Sequence, residues 1–383
     1  MNATSICRRG TRGIGSALGV LCAVALATAC GRRQAAAQEP TPVDLPSKAV
    51  DADLAALVTS NPAIRSLDLA ACTQLRDCTP LAQLANLREV RLPAQADDAA
   101  IRALAAGAGK LEMLRGQAWI RDPEPLARLV GLRVLEARVE DGLVLAAIGK
   151  LTRLEELDLC SNRRFEQPDA ELAPLSGLQA LRVLKIDAVI EGEDLECLRP
   201  LRGLQELTLG SAPQLHDLSV LVGMPALQSL DLGYCPEVRD LTPLEELLQL
   251  RVLEVNAYSL DARRGLDFLE PVARLPALES LHLTSTCIRD LAPLGRLARL
   301  KHLALHEAQR LDDLRPLASL AQLETIELWN CVAVSDLSPL HGLKNLRLIV
   351  LLCDERTRVT DTEIEALRKA HPLPCVVIGP RAP

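Results

Sequence analysis

The chain has 383 residues, a formal net charge of -7, 49% hydrophobic residues and 2% aromatics. Cores of this size normally lean on Phe, Tyr and Trp for bulk, so two of each point to a thin, layered core that Leu, Ile, Val and Ala can fill. Mild acidity without a basic stripe argues against a nucleic-acid footprint, and the absence of any CxxC pair argues against a structural zinc site.

The chain opens with MNATSICRRGTRG, which carries Arg8, Arg9 and Arg12 and no acid. An apolar run from Ile14 to Ala29 follows, too short to span a bilayer comfortably. Residues 1–29 read as a secretory signal. The end of that segment, LATAC at Leu26 to Cys30, resembles the bacterial lipobox, which implies lipidation of Cys30 and retention in the cell envelope, the outer membrane included. Ala27-Thr28-Ala29 is also an ordinary AxA cleavage site, so lipid anchoring, soluble export and an uncleaved segment all stay open. Residues 30–49, rich in Ala, Gln and Pro, read as a tether.

From residue 50 the chain repeats itself. VDADLAALVTSNPA (50–63) has the pattern of an amphipathic capping helix. A six-residue pulse, LxxLxL with substitutions, then begins at residues 64, 87, 111, 132, 154, 181, 204, 227, 250, 278, 300, 323 and 346. Thirteen copies at steps of 21 to 28 residues mean a solenoid, in which each unit buries its leucines only by stacking on its neighbours. A second beat precedes many pulses, as in DLTPL (Asp240 to Leu244), DLAPL (Asp290 to Leu294), DLRPL (Asp313 to Leu317) and DLSPL (Asp336 to Leu340). Asp can cap a short turn, and Pro cannot donate to a strand ladder, so the chain must turn there. Steps of 27 and 28 mark insertions at about 160–171 and 256–265, either neutral or rimming a binding face. Residues 353–383 read as a C-terminal cap, a helix followed by a short strand.

These pulses and turns resemble the leucine-rich repeat family, most closely the short internalin-like repeats with a D-L-x-P-L signature. The resemblance implies an α/β solenoid. About 13–14 short parallel strands would line a concave face, with loops or 3₁₀ turns on the convex side, over residues 64–352. Many members of the family place Asn three residues after the last strand leucine. Here that position holds Cys72, Asn162, Ala212, Cys235, Thr286, Ala308 and Cys331. These cysteines read as packed thiols rather than as a disulfide framework.

No GxxxxGK[ST], HExxH or GxSxG occurs outside the leader, so neither an enzyme nor a cofactor is expected. In LxxLxL the apolar residues face the core and alternation sends the third, fifth and seventh residues to the concave face. Scarce side chains gather there in the later repeats: His282, His302, His306, Glu327 and Trp329, with Tyr234 and Asn256 close to the same edge. Aromatic rings on such a face are typical binding anchors. A metal shared by His282 and His306 is not expected, because diagonal neighbours on adjacent strands should stand too far apart. The reading is an envelope-anchored, monomeric recognition scaffold that binds a protein or glycan on its concave face. The alternatives are an unprocessed cytoplasmic or structural scaffold, and an enzyme with a site near His282 and His306.

Overall fold

A computed structural model describes residues 43–259, 268–285, 287–352, 357–371 and 375–378, the last four and Leu352 through their backbone. Cys30, Thr286, most of the second insertion and parts of the C-terminal cap lie outside these residues. Every described residue belongs to one compact unit.

That unit is one parallel sheet of 15 strands in strict chain order. The strands are β1 (Val43–Asp44), β2 (Ser66–Asp68), β3 (Glu89–Arg91), β4 (Met113–Ile120), β5 (Val134–Val139), β6 (Glu156–Phe165), β7 (Val183–Ile190) and β8 (Glu206–Ser211). They continue with β9 (Ser229–Tyr234), β10 (Val252–Asn256), β11 (Ser280–Thr284), β12 (His302–His306), β13 (Thr325–Trp329), β14 (Leu348–Leu352) and β15 (Cys375–Ile378). Thirteen strands come from the thirteen pulses, and β15 is the strand expected in the C-terminal cap. β1 was not foreseen, since Val43 and Asp44 sit in the Pro-rich stretch and pair with Leu67 and Asp68 only through the fold.

Leucine stacking makes the core. Leu230, Leu232, Leu253, Leu281, Leu283, Leu303 and Leu305 have at most 1% of their surface exposed. Each buried Leu contributes about 1.5–3 kcal/mol relative to an exposed one. Helix α1 (Asp51–Ser60) lays Leu54 and Val58 on the first layer, and α6 (Asp361–Ala370) lays Ile364 and Leu367 on the last. In the later repeats the side of the units away from the sheet is made of 3₁₀ turns, such as Thr242–Glu246 and Ala292–Arg296. In the earlier ones it is not the expected loop or 3₁₀ turn alone: α2 (Asp98–Gly107), α3 (Pro123–Ala127), α4 (Gly142–Ile148) and α5 (Pro168–Glu171) stand there. The apolar runs AAIRAL and GLVLAAI lack an x-P-L turn, so nothing stops their short helices from forming.

Ten aspartates cap these turns or helices as their position suggests. Asp77, Asp97, Asp122, Asp141, Asp194, Asp217, Asp240, Asp290, Asp313 and Asp336 each accept a hydrogen bond from the N–H two residues on. Capping accounts for them without any catalytic role.

The row after each strand differs in detail from its sequence reading. Cys72, Ala212, Cys235, Ala308 and Cys331 are buried there. Asn162 is exposed on the extended β6, because the insertion carries the chain on to Phe165, which is buried instead. In the repeats starting at 250 and 278 the buried residues are Ala257 and Ser285, one place earlier than counted. The thiols also take over part of an amide's work: Cys331 Sγ donates to the Leu305 carbonyl at 3.3 Å and Cys72 Sγ lies 3.6 Å from the Pro46 carbonyl. Among the described residues no two cysteines are joined in a disulfide. Burial pushes Cys235 up to about 12 and Cys78 up to about 11, so these thiols are poor nucleophiles.

Candidate functional site

The open face of the sheet carries three side-chain rows, and pairing register aligns each across the later strands. The third-position row runs Ser229, Val252, Ser280, His302, Thr325. The fifth runs Thr208, Asp231, Glu254, His282, Ala304, Glu327, Val350. The seventh runs Asn256, Thr284, His306, Trp329, and a register shift between β9 and β10 brings Tyr234 and Ser211, the eighth residues of their pulses, into line with it. All seven residues singled out from the sequence therefore stand on one face, across five adjacent strands.

They are not equally connected. His282 Nε2 and His306 Nδ1 are 3.0 Å apart, with ring centroids at 4.3 Å and planes at 70°. Diagonal neighbours on adjacent strands touch here, because two imidazoles lean toward each other across the ~4.8 Å strand spacing, roughly the length of a side chain. Trp329 adds a second edge-to-face contact, its ring 5.2 Å from His306. On the other side His282 Nδ1 meets Glu254 Oε1 at 3.1 Å, and His306 Nε2 approaches Glu327 Oε2 at 4.0 Å. His302 stands apart, in a hydrogen bond with the Thr325 hydroxyl at 2.9 Å. Tyr234 is exposed and Asn256 uses its amide oxygen on the Tyr258 N–H, so neither joins the histidine chain.

Electrostatics assign the protons. Burial acts to lower His282, but its hydrogen bond to Glu254 and the charges of Glu254, Glu327 and Asp231 outweigh it and leave the pKa raised. Burial and then the His282 charge push His306 down to about 3. The raised pKa favours the protonated form of His282, in which both ring nitrogens donate, one to Glu254 and the other to Nδ1 of His306. His306 stays neutral with its proton on Nε2 toward Glu327, a dipolar contact rather than an ion pair. Asp231 lies directly opposite Glu254 in the ladder; burial, then the Glu254 charge, pushes it up to about 7. The chain ends of β12 and β13 are held unusually: Glu307 (φ 60°) and Asn330 (φ 54°) are left-handed, and Asn330 Nδ2 donates to Glu307 Oε2 at 2.6 Å. Two non-glycine residues in that region, side by side under His306 and Trp329, mark backbone fixed by its surroundings.

Chemically, the arrangement offers a half-buried indole, an imidazole whose surroundings favour its protonated form, and several carboxylates at a flat strand surface. Among the described residues no group of three His, Cys, Asp or Glu side chains is placed to hold a metal ion, and no helix is long and apolar enough to cross a membrane.

Sequence counting missed a second aromatic centre. In β4 the residues Gly116 (φ 105°) and Gln117 (φ 46°) form a bulge that shifts the pairing by two places, so that Ala118 pairs with Ala137 and Trp119 with Arg138. Ala118 and Ile120 face the core and Trp119 between them does not. The row continues from Arg138 to Cys160 and Asp187, which places Trp119 in seventh position at the other end of the face from Trp329. The signal was present: the pulse LEMLRG has Gly where an apolar residue belongs, while AWI two residues on matches ARV at 137–139.

Comparison with known proteins agrees with this geometry. The family model described as a leucine-rich repeat region matches residues 49–290. A crystal structure of an internalin from Listeria monocytogenes is 23% identical, covering 77% of this chain and 81% of that one with a TM-score of 0.59. A leucine-rich repeat protein from Leptospira interrogans is 16% identical, covering 84% and 97% with a TM-score of 0.49. No curated protein matches the sequence. Thirteen stacked pulses, a parallel sheet in strict order and the family match together establish that the chain belongs to the leucine-rich repeat family.

Proposed function

We propose that this leucine-rich repeat scaffold is a non-catalytic recognition protein, exported and held in the cell envelope by a lipid on Cys30, that binds a protein partner through the open, concave face between β9 and β13. The observation that carries the reading is the contact chain Glu254, His282, His306, Trp329, in which the scarcest side chains of the sequence meet on a face that the core does not need. A half-buried indole offers contact area at low entropic cost, and the neighbouring charges supply orientation. Histidines that hydrogen-bond each other and a carboxylate are satisfied as a structural network, which favours recognition over turnover.

The test uses the full-length chain as bait in affinity capture from envelope extract, with Trp329→Ala beside wild type. Trp329→Ala should weaken the captured complex at least about thirtyfold, the scale of a 2 kcal/mol hot spot. Glu246→Ala, in the 3₁₀ turn Thr242–Glu246 on the opposite side, should change nothing. The reverse result would move recognition to the convex turns, and a captured glycan would move it to carbohydrate. Cys30→Ser should shift the protein from the detergent to the aqueous phase, since acyl chains contribute roughly 0.8 kcal/mol per buried CH₂. Unchanged partition would remove the anchor.

A further inference from the structure

The Trp119 centre has a composition opposite to that of the Trp329 centre. The Arg121 guanidinium lies 5.0 Å from the Trp119 ring centroid and that of Arg138 lies 5.3 Å from it. Other arginines on these strands are neutralised: Arg115 by Glu136 and Glu156, Arg163 by Glu171 and Arg164 by Glu191. Among the described residues no carboxylate forms an ion pair with Arg121 or Arg138. Arg138 is also drawn to the Cys160 thiol, whose pKa is raised by burial and by Asp187 against the pull of Arg138.

Two adjacent donors lack acceptors. Trp119 Nε1 and Arg138 Nε are both covered, and neither has a hydrogen-bond partner. A covered N–H without an acceptor costs about 1–3 kcal/mol, so a neighbouring pair of them in a well-packed sheet calls for a reason. The backbone that places them is also built at some cost. Glu136 accepts hydrogen bonds from Arg115 Nη1 at 2.9 Å and from the Gly116 N–H at 2.9 Å, clamping the bulge, and the Trp119 N–H is fixed to the Ala96 carbonyl at 2.9 Å. Bulges of this kind re-aim a side chain, and this one turns an indole out of the core layer onto the recognition face.

We propose that Trp119, Arg121 and Arg138 form a second binding subsite, which takes a carboxylate side chain of an acidic protein segment. A carboxylate has lone pairs enough for several donors, so it can accept from Trp119 Nε1 and Arg138 Nε while lying between the two guanidinium groups. Exposed Arg121 is the part that gives way to admit it. A neutral sugar ring is the poorer occupant, because it brings no charge to match the two guanidinium groups. The subsite does not depend on the Trp329 patch, some nine strands or ~43 Å away at ~4.8 Å per strand.

The experiment uses the full chain carrying Trp329→Phe, which leaves Trp119 as the sole tryptophan. Titration with N-acetyl hexaglutamate should give a saturable change in Trp119 emission, and hexalysine should give none. Arg121→Gln and Arg138→Gln should each weaken hexaglutamate binding about tenfold or more. Circular dichroism checks folding, and if Arg138→Gln unfolds, the exposed Arg121→Gln decides. No saturable response to hexaglutamate, or a response unchanged in Arg121→Gln, overturns the subsite. Tighter binding of a heparin hexasaccharide than of hexaglutamate, lost in the same variants, overturns the peptide assignment in favour of a sulfated glycan.

Discussion

The repeats from β4 to β7 and those from β9 to β13 share one feature, a tryptophan in the seventh-position row, and reach it by different means. In the later group the strands are five or six residues long, the turns are 3₁₀, and Trp329 falls in place by uninterrupted counting from Leu323. In the earlier group the strands run to ten residues, short α-helices join or replace the 3₁₀ turns, and Trp119 arrives through a two-residue bulge. Their surroundings differ as well, guanidinium groups at one ring and an imidazole at the other. Regular stacking thus fixes where the rows lie, while local irregularity chooses which side chain enters them.

The largest effect expected from disturbing either group is the loss of a core leucine. Leu232→Ala should cost ~2–5 kcal/mol in chemical denaturation, and Leu135→Ala in the irregular group should cost the same. A cost well below that for Leu135 would show that the bulged repeats tolerate cavities that the regular ones do not. Next in size is Gly116→Ala. An added Cβ would sit 2.1 Å from the Leu92 carbonyl oxygen at a φ of 105°, so strain and clash should remove about 3 kcal/mol and disturb Trp119 emission. If emission and stability are both unchanged, the bulge is not what places the ring.

Smaller effects sharpen the regular side. Cys235→Ala should cost about 1 kcal/mol, and intact-mass measurement after alkylation under native conditions should leave the buried thiols unmodified and free of disulfide. The smallest effect is electrostatic. Asp231 is raised to about 7, so its penalty is absent below the ordinary carboxylate value of 3.8, grows as pH rises and is complete above about 7. Asp231→Asn should therefore raise Tm by roughly 1–2 °C at pH 8, with the gain vanishing toward pH 3.5. His306, held neutral down to about 3, works in the opposite sense and withdraws stability as pH falls below 6.5. An Asp231→Asn gain that grows on acidification would contradict the proton assignment.

Much of this was legible in the residues themselves. Leucine spacing specifies a parallel stack because no single unit can bury its own apolar face, and D-L-x-P-L specifies a capped turn because Asp can accept and Pro cannot donate. The same count put His282, His306 and Trp329 on one face, since alternation along a strand is geometric. Contacts across strands were not legible. Whether His282 touches His306 depends on how two rings lean over the gap between neighbours, and the proton they share follows from burial and from Glu254, which sits 28 residues before His282 in the chain. Trp119 escaped for a related reason. A bulge trades residues for direction, and only pairing with the next strand shows that Trp119 stands opposite Arg138. Period and composition determined the scaffold, because stacking is repeated locally at every turn. The tertiary structure decided the site, because a site here consists of side chains brought together from different turns.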